Sequence, residues 1–141
     1  MKDFQTFEHG ADVGVIGYGQ TQEQAFANGA KAMFNVMVNI QKVEPKQTVT
    51  VECNAQNIEE LFVEWLNELI AQFGLQDLVF SEFSVKINKK DDSFQLDGNA
   101  KGEPLDKLKH EIKTEVKAAT YSNLKIAQAD GKWYAQCIVD V

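Results

Sequence analysis

The segment 57–74 constrains this chain most, because its apolar residues return every third or fourth position. Ile58, Phe62, Trp65, Leu66, Leu69, Ile70 and Phe73 fall on one broad helical face. Asn57 is the expected N-cap, Glu60 sits at the third helical position, and Gly74 is the expected stop. A helix this apolar must be covered by other elements, so it should carry the largest share of the core. Trp65 and Phe73 read as packing residues rather than as the lining of a pocket.

A second helix is predicted from Thr21, an N-cap with Gln24 as its capping-box partner, and Phe26, Ala30, Met33 and Met37 form its stripe. Elsewhere the period drops to two. Residues 13–18, closed by Gly17 and Gly19, and residues 48–53 read as strands, with a loop over 41–47 around Pro45. Residues 79–88 and 93–101 form a hairpin across the polar turn 89–92. Asp130-Gly131 joins 124–129 to 132–140 in a second hairpin, with Trp133, Ala135, Cys137 and Val139 on one face and Tyr134, Gln136, Ile138 and Asp140 on the other. Leu105, Leu108 and Ile112 predict a short helix through His110, and the alternation over 113–121 predicts one more strand. The fold class is therefore α+β: a single domain over 1–141, mostly antiparallel sheet packed with two main helices.

Of the 141 residues, 44% are hydrophobic and 25% charged, enough for one buried core. The net charge of −7 disfavours phosphate-backbone binding as the main activity and makes a basic protein a more natural partner than an RNA. No apolar stretch is long enough to span a bilayer and the first residues lack a signal-peptide block, so no membrane partner and a cytoplasmic location are expected. Cys53 and Cys137 lie far apart in apolar surroundings and read as two reduced core thiols.

Two short acidic motifs flank strand-like segments: Glu8-His9-Gly10-Ala11-Asp12-Val13-Gly14 near the start and Cys137-Ile138-Val139-Asp140-Val141 at the end. If those strands are neighbours, Asp12, Asp140 and the carboxylate of Val141 converge on one cation. Hard oxygen donors suit calcium, magnesium or manganese rather than zinc. On spacing alone, two carboxylates and a chain terminus over a hundred residues apart are more often solvated surface groups than ligands. His9 is open to two readings, a structural histidine at a strand start or a hydrogen-bonding partner or general base beside Asp12. His110, Lys113 and Glu115 fall in a polar run that is either a contact surface or a solvated face. No nucleotide-binding loop and no Ser/His/Asp or Cys/His signature is evident.

Several longer runs, taken in order, resemble the archease family. They are the Glu8 to Gly14 motif, Ala25-Phe26 with Ala32-Met33-Phe34, Leu61-Phe62-Val63-Glu64-Trp65-Leu66-Asn67-Glu68-Leu69, Gly102-Glu103-Pro104, His110-Glu111-Ile112-Lys113-Thr114-Glu115-Val116-Lys117-Ala118-Ala119-Thr120-Tyr121, and the terminal Val139-Asp140-Val141. The resemblance covers nearly the whole chain. It implies a protein that is not itself an enzyme but assists an RtcB-type RNA ligase, promoting guanylylation of the ligase and its multiple turnover in tRNA splicing and RNA repair. RNA would be met only through the ligase. It further implies a divalent metal ion held by Asp12, Asp140 and Val141, with His9, His110, Lys113 and Glu115 as supporting or partner-contact residues. Two positions depart from the family's usual pattern: Gly10, where Thr is usual, and Ser122, where His often follows the Tyr. A general protein chaperone and, behind it, a metal-dependent hydrolase are the rival expectations.

Overall fold

Strand β1 (Phe4–His9) reverses through Gly10 and Ala11 into β2 (Asp12–Gly19), with Phe4 opposite Gly17 and His9 opposite Asp12. In this computed structural model, which describes residues 2–141, Gly10 has φ +61° at the first central position of the two-residue turn, where a hairpin favours glycine. The β1 strand is not among the sequence expectations. Its alternating Phe4/Thr6 and Gln5/Phe7 pattern is short and lies at a sheet edge.

Helix α1 (Gln22–Met37) starts as expected, with the Thr21 hydroxyl accepting from the Gln24 N–H. It lies almost backbone to backbone on β2: a methyl group added at Gly17 would stand 2.1 Å from the amide nitrogen of Gly29. A 3₁₀ turn (Ile40–Lys42) occupies the start of the expected loop before β3 (Gln47–Ala55). Helix α2 (Ile58–Gln76) is capped by Asn57, whose side chain accepts from the Glu60 N–H. It does not stop at Gly74. It runs on to Gln76 and ends where Asp77 turns left-handed at φ 53°, a conformation a short polar side chain tolerates.

Strands β4 (Leu78–Lys90) and β5 (Ser93–Pro104) form the first expected hairpin, and with β3 they make a three-stranded sheet in the order β3-β5-β4. The short helix is confined to α3 (Lys107–His110). The strand expected over 113–121 shrinks to β6 (Ala118–Ala119). The reason is visible in the backbone: the N–H groups of Lys113 and Thr114 bond to the carbonyls of Met37 and Val36 at the end of α1, so the start of this stretch seals a helix terminus, and main-chain bonds to β8 begin only at Lys117. The last hairpin, β7 (Lys125–Ala129) and β8 (Lys132–Asp140), forms around Asp130 and Gly131, both with positive φ. β8 is the spine of a five-stranded sheet, pairing with β2 on one side and with β6 and β7 on the other.

Both helices touch both sheets. α1 packs on β2 and β8 of the larger sheet and on β4 of the smaller, while α2 packs on β3 and β5 and reaches β6 and β7. The core is the helical layer between them. Phe26 and Phe62 meet edge to face at 5.0 Å, and Trp65 is fully buried, donating its indole N–H to the Phe26 carbonyl at 3.0 Å. Each such aromatic contributes roughly 1.5–3 kcal/mol by burial. Cys53 and Cys137 are free thiols, and burial pushes both up to about 12, so they stay protonated. No helix is long and apolar enough to cross a membrane among the described residues.

Candidate functional site

The start of β2 and the end of β8 lie side by side, because Val13 pairs with Val139 in antiparallel register. One step further along that register puts Asp12 opposite Asp140, on the outer face of the larger sheet, where directly opposed side chains stand about 5 Å apart at Cβ. The chain end closes on them: the Val141 N–H donates to Oδ1 of Asp12 at 3.4 Å. Asp140 is exposed, Asp12 and Val141 half-buried. The main chain of Asp140 is fixed from the other side, since its carbonyl accepts from the Lys117 N–H at 2.7 Å and the residue pairs with Ala118. Strand pairing thus brings two of the expected ligand residues to one sheet corner and draws the third against them.

The electrostatics of this corner are unbalanced. Like charges directly opposite one another across two strands destabilise a sheet, and among the described residues neither Asp12 nor Asp140 makes an ion pair. No three His, Cys, Asp or Glu side chains among the described residues are grouped to hold a metal. With Asp12 and Asp140 as two donors, the carboxylate of Val141 would be a third. All three donors are hard oxygens, which fits calcium, magnesium or manganese and does not fit a soft metal. His9, opposite Asp12 across the β1–β2 turn, is exposed at the same corner.

The other three candidates lie elsewhere, each in a different setting. His110 is completely buried, so it belongs to no contact surface. Its Nδ1 accepts from the Asp106 N–H at 3.0 Å, which leaves the proton on Nε2, and Nε2 donates to Oε2 of Glu103 at 2.9 Å. Glu103 is itself buried. It also accepts from the Glu44 N–H at 2.8 Å and from the Lys109 ammonium. Burial raises the Glu103 pKa, but these donors outweigh it and hold the carboxyl down to about 2. The cluster staples β5, α3 and the segment before β3 together. Lys113 is exposed and donates to the Asn35 carbonyl at 2.9 Å, at the rim of a polar cleft of about 540 Å³ that also holds Lys31 and Glu111. Glu115 borders a smaller apolar cleft with Phe73, Leu105 and Ile112. Of the three aromatics in the α2 stripe, Phe62 and Trp65 are pure core and Phe73 does line a cleft.

The model of the Archease protein family (MTH1598/TM1083) matches residues 4–141. The chain belongs to the archease family. Protein archease of Pyrococcus furiosus is 43% identical over 142 residues, covering all of both chains. Among solved archease-like structures, the solution structure of Methanobacterium thermoautotrophicum protein 1598 is 38% identical, covers all of both chains and superposes with a TM-score of 0.88. An archease from Thermotoga maritima, described as a possible chaperone, shares the fold at a TM-score of 0.53 and 17% identity, over 97% of this chain and 96% of its own. The α+β architecture expected from the sequence is thus the archease fold. The archease of Pyrococcus furiosus is named as a protein and not by an enzymatic activity.

Proposed function

We propose that this archease is a non-catalytic activator of an RtcB-type RNA ligase, acting through the corner that carries Asp12, Asp140 and Val141. The observation that carries the reading is the meeting of two opposed carboxylates and residue Val141 at one sheet corner, where neither aspartate makes an ion pair among the described residues. Such a corner is costly to keep unless something positive meets it. Asp12, Asp140 and the Val141 carboxylate would hold a divalent cation, which supplies a positive charge able to meet phosphate oxygens. The Asp12 and Asp140 side chains would fix the ion's place at the sheet corner, and the net charge of −7 would steer the whole molecule toward a basic partner. Docked at the mouth of the ligase's active site, the tip promotes guanylylation and repeated turnover in tRNA splicing and RNA repair.

The test is ligation of RNA ends by the RtcB-type ligase from the same source, with RNA in large excess and the archease at a small molar ratio to ligase. Several rounds of ligation per ligase with the archease, and about one without it, support the reading. Equal turnover in both reactions overturns it.

A second reading, a chaperone for exposed hydrophobic chains, is favoured by one observation. Leu75, Leu108, Ile112 and Tyr121 are exposed, Leu108 almost fully at 98%, and Ile112 borders the apolar cleft at the end of α2. Suppressed aggregation of unrelated unfolded proteins, insensitive to Asp12 and Asp140, would support it.

A further inference from the structure

Because both helices pack between the two sheets, the outer face of the five-stranded sheet is covered by no helix. Its residues are set by strand register. Tyr18 and Tyr134 stand directly opposite each other on β2 and β8. Between them and the acidic corner, Ile16 and Ile138 are shielded without belonging to the central core. The tyrosine pair borders an open pocket of about 390 Å³ shared with Lys2, Gln5, Asp130 and Lys132. A further lysine reaches in from β7, the Lys125 ammonium lying 5.9 Å from the centre of the Tyr134 ring. Three lysines therefore gather around two half-buried aromatic rings in a chain that is acidic overall, with Asp130 as the acidic residue of the pocket wall.

We propose that this pocket is a binding site for single-stranded RNA, one base stacking on Tyr134 and Tyr18 while neighbouring phosphates lie on Lys2, Lys125 and Lys132. Aromatic rings on an open sheet face are a stacking platform, since every base offers a flat face, and lysines beside them supply the sequence-independent attraction to phosphate. The ring positions are held by the sheet and not by a loop, so the platform exists before the strand arrives. Burial, and after it the nearness of Tyr134, raise the Tyr18 pKa, so its ring stays a neutral phenol. The platform and the acidic corner share one sheet face: Tyr134 and Asp140 are six residues apart along β8, about 20 Å. An RNA strand on this face can reach toward the corner, which gives the archease a direct, weak hold on RNA in addition to any contact made by the ligase.

The inference is tested on the protein alone, so its failure leaves the ligase reading untouched. A labelled single-stranded RNA of about ten nucleotides is titrated with the archease at several salt concentrations. Weak binding is expected, with a log–log salt slope of about −2 for three phosphate contacts. Amide resonances of β2, β7 and β8 should move. Tyr134→Ala should weaken binding about fivefold to a hundredfold, Tyr134→Phe should preserve it, and Lys132→Glu should weaken it with a shallower salt slope. No binding at millimolar protein overturns the inference. So does binding that ignores Tyr134→Ala and Lys132→Glu, or equal binding of duplex RNA, which offers no free base to stack.

Discussion

The Val141 main-chain N–H donates to the Asp12 carboxylate across 129 positions of sequence, and that contact closes the corner where β2 begins and β8 ends. One step beyond the Val13 to Val139 pair, Asp140 falls opposite Asp12, so two carboxylates come to the same corner. Like charges opposite one another weaken a sheet, and a cation at this corner would offset that cost.

Cation binding should raise thermal stability. At a concentration about a hundred times its dissociation constant, a ligand confined to the folded state contributes about 2.7 kcal/mol, which for a domain of this size is roughly 5–10 °C in Tm. Calcium, magnesium and manganese should each be scanned against a chelator. Asp140→Asn should lose the cation-dependent rise and, in chelator, melt no lower than the parent chain, because it removes one of two opposed charges. A fall in Tm of Asp140→Asn in chelator would mean that the carboxylate has a structural partner instead.

The Glu103–His110 staple should make the fold acid-sensitive. Glu103 is held at about 2 in the folded chain, against about 4.3 for an unperturbed glutamate, so between those values the unfolded chain binds more protons. The contribution is complete above about pH 5 and is lost as pH falls through about 2. Its full size is on the order of 3 kcal/mol. Glu103→Gln should flatten the stability profile over that window, measured by chemical denaturation from pH 6 down to pH 2.

Gly17→Ala should be among the most damaging small substitutions, because the new methyl would stand 2.1 Å from the Gly29 amide nitrogen and 2.2 Å from the Ala25 carbonyl oxygen, both backbone atoms. Separating α1 from β2 to make room should cost about 3 kcal/mol or more. Gly10→Thr tests a different cost. Nothing crowds a side chain there, but φ +61° is unfavourable for a β-branched residue, so a loss of about 1–2 kcal/mol is expected from denaturant midpoints.

Much of this molecule is legible along the chain because local chemistry and tertiary role agree. The α2 stripe, the Thr21 and Asn57 caps and the Asp130-Gly131 turn each carry their own signal. The acidic corner is half legible: the Asp12 and Asp140 motifs stand out, but only the Val13 to Val139 pairing makes them neighbours. Residues 113–117 mislead because Thr114 and Val116 alternate with charges like a strand, while the N–H groups of Lys113 and Thr114 serve the end of α1. His110 misleads for a related reason. Its polar neighbours Lys109 and Glu111 suggest a wet face, and its true partner, Glu103, is on another element. Tyr18 and Tyr134 carry no signal separately. The outward parity of Tyr134 on β8 is readable, yet its pairing with Tyr18 is a property of the sheet alone.

The most direct measurement is multiple-turnover ligation by the RtcB-type ligase with the parent archease, Asp12→Asn and Asp140→Asn at matched folded concentrations and with a saturating divalent cation. Stimulation by the parent chain and a loss of tenfold or more in both variants, about 1.4 kcal/mol or greater, is expected if the corner acts on the ligase. Undiminished stimulation by both folded variants would contradict a role for the corner.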